Sequence, residues 1–558
     1  MLSQAQIARL AALGQRRECE PGEQLVGAGD TDYPIALVES GEVEVVRPAT
    51  LNRPSQVLRR WGPGEFTGEW GVVTGEAAFL TIRVASRARI VEIPRSRLLA
   101  ALSADADLSS AVFGELLRRR GVLLHDDDAA SIEILGVERS AAAHALRSWA
   151  ERQGVVYTWL DVTEPAGASL ARALGCSDTD LPIALTPTAV LPRATVADLS
   201  SNLGLTYRES GGVHDLVVIG AGPAGLAAAV YGASEGLSTV LLDGVSIGGQ
   251  AAASSRIENY LGFPDGISGG ALTSRGLVQA QKFGAVVSTP CAVKRLTQDD
   301  TALAVELADG TEIATRSAVI ATGATYRRLP LPRWDEFEGA GVYFAATEIE
   351  ASGCMGRPVV VIGGANSAGQ AALFLATRGS HVDLVLRGGS LGARMSSYLV
   401  RRVADHERIT VWRNTEISAL HGDARLERVT LTDRVTAASE VRDCAGLFCF
   451  IGATPATAWL DGVALDPNGF VLTDTDLDDR ELPPIWSRLG RRPFAYETSV
   501  PGVFAVGDVR RSSMKRVAAA VGEGSSAILS VHRALAAQDA PTEDHDQGGP
   551  SDQPRVVR

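Results

Sequence analysis

The chain has 558 residues, of which 45% are apolar, and carries a net charge of −13 at pH 7. That length allows three or four domains, each with its own core, and the acidic balance argues against nucleic acid or an acidic membrane surface as the main partner. The six cysteines, Cys19, Cys176, Cys291, Cys354, Cys444 and Cys449, are scattered and form no Cys-x-x-Cys pair, so neither a metal site nor a local redox dithiol is visible. No charged-then-apolar leader opens the chain, which makes the cytoplasm the expected compartment.

Residues 1–127 read as a β-rich module. Short strands are predicted at 35–38, 43–46, 57–58 and 89–93, with glycine turns at Glu39-Ser40-Gly41 and Gly62-Pro63-Gly64-Glu65 and a closing helix over 106–124. This order resembles a cyclic nucleotide-binding jelly roll, and Phe66-Thr67-Gly68-Glu69 resembles the start of that family's phosphate-binding cassette. The resemblance puts Glu69 on the ribose, but the position of the phosphate-binding arginine falls near Ala78, and Arg83 is out of register. Without that charge-assisted contact the phosphate loses its strongest attraction. A structural or protein-sensing module is therefore expected, with cyclic-nucleotide binding as the alternative.

Residues 130–206 alternate strand and helix. Strands are expected at 132–136, 155–162 and from 181, and helices at 141–153, 168–175 and 196–203. The order resembles a thioredoxin or glutaredoxin fold, with Pro182 where that family carries a cis-proline. The turn that would hold the reactive thiols reads Val137-Glu138-Arg139-Ser140, so the resemblance implies a docking or scaffold domain without redox chemistry. Glu209-Ser210-Gly211-Gly212 follows as a polar linker.

At Leu216-Val217-Val218-Ile219 a buried parallel strand runs into Gly220-Ala221-Gly222-Pro223-Ala224-Gly225 and then into a helix. Strand, glycine turn and helix together make a dinucleotide fingerprint: Gly220 for the tight turn, Gly222 for approach of a pyrophosphate, Gly225 for close helix packing. A second strand, 239–242, ends at Asp243, where an acid can accept from a ribose hydroxyl. A second fingerprint, Gly363-Gly364-Ala365-Asn366-Ser367-Ala368, follows the strand 358–362. Ala365 stands in its middle-glycine place, where a methyl group crowds the pyrophosphate. The next strand, 382–386, leads to Arg387 rather than an acid. A guanidinium there suits the 2′-phosphate of NADPH, although Arg387 could equally be a solvated surface charge.

Between and beyond these fingerprints the wording resembles thioredoxin reductase in order and position. Gly248-Gly249-Gln250 matches the turn that lies along the flavin, Ile257-Glu258-Asn259-Tyr260 the segment whose asparagine (Asn259) contacts it, and Ala292-Val293 the strand beside the adenine. Ala321-Thr322-Gly323 matches the stretch after the flavin domain's β-meander, and Gly507-Asp508 the terminal motif that holds the ribityl chain. Lys515-Arg516-Val517 opens a helix towards the ring, and residues 446–452 match the return strand to the flavin domain, making Cys449 a core residue. The family's Tyr-Cys-Ala-Thr-Cys reads Phe344-Ala345-Ala346-Thr347-Glu348 here, so a thiolate that could attack the flavin is missing. Cys354, nine residues after Ala345, is the remaining candidate for a catalytic thiol; the alternative is a packed core cysteine.

The expected architecture is multidomain: a β jelly roll (1–127), an α/β thioredoxin-like domain lacking Cys-x-x-Cys (130–206), then two Rossmann-like α/β units. These are an FAD-binding domain in two parts (214–337 and 444–536) around an NAD(P)H-binding domain (338–443), followed by a disordered tail (537–558). The resemblance implies an NADPH-dependent FAD oxidoreductase that passes electrons to a ferredoxin, a quinone, a thioredoxin or another disulfide, with a homodimer as the assembly. A disulfide reductase using Cys354 or a partner's thiols, and a non-enzymatic redox or nucleotide sensor, are the other readings.

Overall fold

The computed structural model describes residues 2–539, apart from 32, 51–52, 69–70, 75–76, 124–129, 131, 208–210, 255, 299–302, 347, 394 and 481. Among the described residues no helix is long and apolar enough to cross a membrane.

The N-terminal unit is an antiparallel sheet in which Gln15–Cys19, Thr81–Ile93, Ile35–Arg47 and Gln56–Trp61 lie side by side, with Gln24–Val26 also pairing to Thr81–Ile93. The turn expected at Glu39-Ser40-Gly41 is absent: Ile35–Arg47 is one continuous strand. The register instead slips between Val38 and Val43, and Gly41 takes φ +82°, so the glycine makes a bulge that bends the strand without ending it. Apolar side chains such as Val43, Val84, Ile90 and Val91 fill the interior. Helix α1 (Ala106–Leu123) closes the unit.

The next unit is a four-stranded mixed sheet in the order Tyr157–Asp161, Ile132–Gly136, Ile183–Leu185, Val190–Leu191. The first two strands are parallel and the other pairs antiparallel. Helix α2 (Ala141–Gln153) buries Leu146, Trp149 and Ala150, and the Leu181–Pro182 bond is cis. The two-residue strand Val190–Leu191 has too short a pattern to be read from sequence.

Two five-stranded parallel sheets follow, built to one plan. The first runs Val286–Ser288, Thr239–Leu242, Leu216–Ile219, Ala318–Ile320, Val503–Ala505. The second runs Ile409–Trp412, His381–Val385, Pro358–Ile362, Leu447–Cys449, Val342–Tyr343. Each carries a three-stranded antiparallel meander, at Val293–Gln298, Leu303–Leu307 and Glu312–Thr315 in the first and at Thr415–His421, Arg428–Asp433 and Ser439–Asp443 in the second. The central strands are apolar throughout because helices cover one face of each sheet and the antiparallel meander packs on the other. Helix α3 (Pro223–Ser234) is nearly all small residues, which lets its neighbours approach.

The boundary read at 443/444 moves. Leu447–Cys449 hydrogen-bonds to Pro358–Ile362, so it belongs to the second sheet and is not a return to the first. The chain crosses back at Ala453–Pro455, which pairs with Ala324–Tyr326, the outgoing crossing. The apolar pattern of 446–452 fits a central strand of either sheet; only the pairing assigns it. Helix α4 (Gly269–Lys282) of the first parallel unit meets the N-terminal unit, where Val278 packs into its core and the Lys282 ammonium lies 5.7 Å from the Phe113 ring. In the second parallel unit, helix α5 (Asn366–Thr377) starts inside the second fingerprint; in the first, the last helix, α6 (Val517–Asp539), runs three residues into the stretch read as tail. Residues 540–558 of that tail lie outside the described residues.

Candidate cofactor sites

In the first parallel unit the turn after Leu216–Ile219 is set by three glycines with three different constraints. Gly220 has φ +109°, and a Cβ there would overlap the Ala321 carbonyl oxygen. A Cβ on Gly225 would overlap the Gly220 carbonyl oxygen, so helix and turn touch backbone to backbone. Gly222, the N-cap of α3 followed by Pro223, faces open space with nothing within 4 Å of a Cβ. That is the cradle a pyrophosphate needs, at a helix N-terminus.

Other expected residues converge on this turn. A Cβ on Gly249 would lie 3.2 Å from the Gly222 Cα, and the Gly248 N–H donates to the Ala221 carbonyl at 2.8 Å. A Cβ on Gly507 would come 2.9 Å from the Ala224 Cβ. Thr322 and Gly323 follow the adjacent strand, with the Thr322 hydroxyl donating to the Ala456 carbonyl at 2.9 Å. Gln250 donates its amide to the Ala324 carbonyl, tying the flavin-side turn to the crossing strand. Asn259 and Arg516 are exposed, Val293 begins the meander, and Val517 is the first residue of α6.

Asp243 does more than end a strand. Its carboxylate accepts from the N–H groups of Ala221 (2.8 Å), Val245 (2.8 Å) and Ser246 (3.0 Å), bracing the fingerprint turn. Burial pushes this carboxyl up, and the three donors pull it back. Asp508 is also raised by burial, with Lys515 opposing; the Lys515 ammonium donates to the Asp508 carbonyl at 2.6 Å. Sequence reading missed Glu523. It accepts from the Gly507 N–H at 2.7 Å and pairs with Arg510 at 3.1 Å, fixing the turn that presents Asp508. A lone acid in the small-residue stretch Val517-Ala518-Ala519-Ala520-Val521-Gly522-Glu523 was the available signal.

The second unit repeats two backbone bonds of this geometry. Gly220 N–H donates to Leu242 O, and Gly363 N–H to Val385 O. Ala321 N–H donates to Ile219 O, and Phe450 N–H to Ile362 O. A Cβ on Gly363 (φ +140°) would overlap the Phe450 carbonyl, as one on Gly220 would overlap Ala321. Ala365 caps α5 with φ −105° and ψ 178°, an extended backbone that any residue adopts, and it is exposed. Its methyl group therefore costs no backbone strain; it only takes up room at the cradle. Gly364 packs on Leu386, Ala368 is buried, Ser367 is exposed, and Asn366 accepts from the Ser396 N–H at 2.8 Å, pinning a neighbouring loop.

The register corrects one expectation. Asp243 N–H donates to Ser288 O, and its counterpart is Leu386 N–H donating to Trp412 O. The residue level with Asp243 is therefore Leu386, and Arg387 stands one position beyond. Arg387 is exposed, and its carbonyl accepts from the Arg434 guanidinium at 3.2 Å, so a second cation unread from the sequence sits beside it.

The place of the missing dithiol lies at the junction. Phe344 stacks on Tyr326 with ring centroids 5.4 Å apart, and Ala345 and Ala346 are buried. Thr347 and the Glu348 side chain lie outside the described residues. Cys354 is 0% exposed, its Sγ lies 3.5 Å from the Ala445 carbonyl, and burial pushes its thiol up to about 11. A buried thiol so raised is no nucleophile, so the expectation of a catalytic Cys354 gives way to a packed core cysteine. The four-stranded unit of residues 130–206 packs on both flanks of this segment: Ser352 donates to Glu138 at 3.2 Å, His144 lies 3.7 Å from Glu350, and Gly339 packs on Ala141. Among the described residues no cluster could hold a metal ion.

In the N-terminal unit Glu69 lies outside the described residues. Ala78 faces an internal cavity that Ile82 also lines, whereas Arg83, the next residue on that strand, pairs with Glu44 at 2.6 Å. Strand alternation sends the guanidinium to the other face.

The family Pyridine nucleotide-disulphide oxidoreductase matches residues 214–524, and the family Cyclic nucleotide-binding domain matches residues 16–105. Thioredoxin reductase from Neurospora crassa is 33% identical over 346 residues, covering 59% of this chain and 96% of that protein. NADPH-dependent thioredoxin reductase 3 from Arabidopsis thaliana is 34% identical over 346 residues, covering 60% of this chain and 61% of that protein. Among solved structures, the T. acidophilum thioredoxin reductase superposes with a TM-score of 0.51 at 28% identity, over 58% of this chain and 99% of that one.

Proposed function

The chain belongs to the pyridine nucleotide-disulphide oxidoreductase family and is an NADPH-dependent FAD oxidoreductase of the thioredoxin reductase superfamily; we propose that its electrons leave for an acceptor outside the chain. The observation that carries this is the pairing of two intact dinucleotide folds with a junction at Phe344-Ala345-Ala346 that holds no thiol, while Cys354 is sealed in the core.

When bound, NADPH supplies a hydride and FAD a ring able to take two electrons. The work of the chain is binding and orientation. In our reading Gly220, Gly222, Gly225 and the N-terminus of α3 hold the FAD pyrophosphate, Asp243 its ribose, and Gly249, Thr322, Gly323, Gly507 and Asp508 the flavin half. Gly363, Gly364 and the N-terminus of α5 hold the NADPH pyrophosphate. Arg387 with Arg434 takes the 2′-phosphate, supported by Leu386 at the level where a carboxylate would favour NADH. We read residues 130–206 as a thioredoxin-like scaffold, supported by their element order and a thiol-free turn at Val137-Glu138-Arg139-Ser140.

The relatives are named thioredoxin reductases, which makes oxidised thioredoxin the first acceptor to try, with ferredoxin and a quinone next. The test is anaerobic mixing of the purified protein with NADPH, followed by each acceptor, watching flavin absorbance. Bleaching that a quinone or ferredoxin reverses and thioredoxin does not supports direct transfer out of the flavin. Recolouring by thioredoxin alone moves the chemistry to thiols supplied by a partner. No bleaching at all sinks the NADPH reading and favours a sensor.

A further inference from the structure

Helix α2 of the four-stranded unit ends against the first parallel unit. Gln153 closes the helix and donates its amide to the Thr289 hydroxyl, just beyond the strand Val286–Ser288. Arg120 of α1 holds the helix end from behind, donating to the Gln153 carbonyl at 3.3 Å. The neighbouring Arg152 reaches further in. Its Nη1 donates to the Ser246 hydroxyl at 3.2 Å, and Ser246, 2% exposed, lies in the turn whose N–H groups Asp243 accepts. Thr289 and Ser246 both follow the carboxyl ends of neighbouring strands, the edge where open α/β sheets take their ligands.

The charge of Arg152 is felt on both sides of the fingerprint turn. Burial raises the Asp243 carboxyl and the Tyr326 hydroxyl, the latter to about 12, and Arg152 opposes both. Asp243 follows Thr239–Leu242, and Tyr326 lies beyond Ala318–Ile320. These two strands flank Leu216–Ile219, which carries the turn, on opposite sides. The turn and its surroundings bring no cation of their own, since residues 216–255 hold no Lys, Arg or His. A guanidinium has five N–H donors, and among the described residues Ser246 accepts from one of those of Arg152. Residue 152 also lies outside residues 214–524, the stretch matched to the oxidoreductase family.

We propose that Arg152 is a cofactor-positioning residue that pairs with the pyrophosphate of FAD, making the 130–206 unit part of the flavin holder. This rests on the reading of Gly220, Gly222 and Gly225 as the pyrophosphate cradle. The helix N-terminus of α3 supplies partial charge there, and Arg152 adds the full charge that the matched family segment lacks at that turn.

The test is the dissociation constant of FAD from the full-length holoprotein, read as free flavin by equilibrium ultrafiltration at falling protein concentration. Arg152→Gln weakens FAD about tenfold, the worth of one hydrogen bond to a charged group, and the gap from the parent chain narrows at high salt. Arg152→Lys, which keeps the charge, loses less. Gln153→Ala breaks a docking contact at the same edge without changing charge, and keeps the parent affinity. The proposal is overturned if Arg152→Gln holds FAD as tightly as the parent, if the gap ignores salt, or if Gln153→Ala weakens FAD as much. Gly222→Val separates this from the reading beneath it, because a Cβ there meets nothing within 4 Å and only a ligand would feel the side chain. If Gly222→Val loses FAD while Arg152→Gln keeps it, the role of Arg152 alone falls. If Gly222→Val keeps FAD, the cradle reading fails and the proposal falls with it.

Discussion

The two parallel units repeat one design and differ in two places that matter. Their fingerprint turns share two backbone hydrogen bonds and place equivalent carbonyls, of Ala321 and Phe450, against Gly220 and Gly363. At the middle position Gly222 has φ −72° and ψ −178°, and Ala365 has φ −105° and ψ 178°. The backbone is alike, so the middle glycine serves the ligand and not the turn. At the end of the neighbouring strand stands Asp243 in the first unit and the buried Leu386 in the second. On our proposed reading of the sites, fold and ligand choice are separable: the first glycine and a small third residue, Gly225 or Ala368, keep helix on strand, while the middle position and the strand end tune what binds.

The largest break in that comparison comes from Gly225→Val. Its side chain would drive into the Gly220 carbonyl, and α3 cannot retreat because small residues pack it on α6. A loss of more than about 3 kcal/mol is expected, read as protein purified without flavin absorbance and with a lowered melting temperature. Next, Arg387→Ala should raise the KM for NADPH about tenfold, the worth of one charge-assisted contact, and leave that for NADH unchanged. An equal loss with both coenzymes would make Arg387 a mere surface charge. Ala365→Gly should sharpen the likeness of the two sites. Removing the methyl group frees the cradle, so the KM for NADPH should fall a few-fold with no change in melting temperature. The smallest effect belongs to Cys354→Ala. Turnover with any acceptor should stay the same, and stability should fall by about 1 kcal/mol for a lost core sulfur. In the parent chain the thiol, raised to about 11 by burial, should resist alkylation at pH 8 unless the protein is unfolded.

Much of this was legible in the residues. Both fingerprints, the strands feeding them and the absence of cysteine at 345 and 348 are local patterns, because a tight turn before a helix admits only small residues wherever it occurs. The strand at 446–452 was assigned to the wrong sheet for the converse reason: an apolar run states that it is buried on both faces but not beside which neighbour. Glu39-Ser40-Gly41 read as a turn because a glycine at positive φ serves turns and bulges alike, and the choice belongs to the partner strand.

The sequence alone therefore determined the order of units, the two nucleotide folds and the missing dithiol. Each depends on contacts within a few residues, or on which atoms a side chain owns. Only the tertiary structure decided that Leu386 and not Arg387 stands level with Asp243, that Glu523 braces the turn bearing Asp508, and that Cys354 is sealed away. Register, burial and desolvation are properties of neighbours far apart in the chain, and they exist only once the sheets have closed.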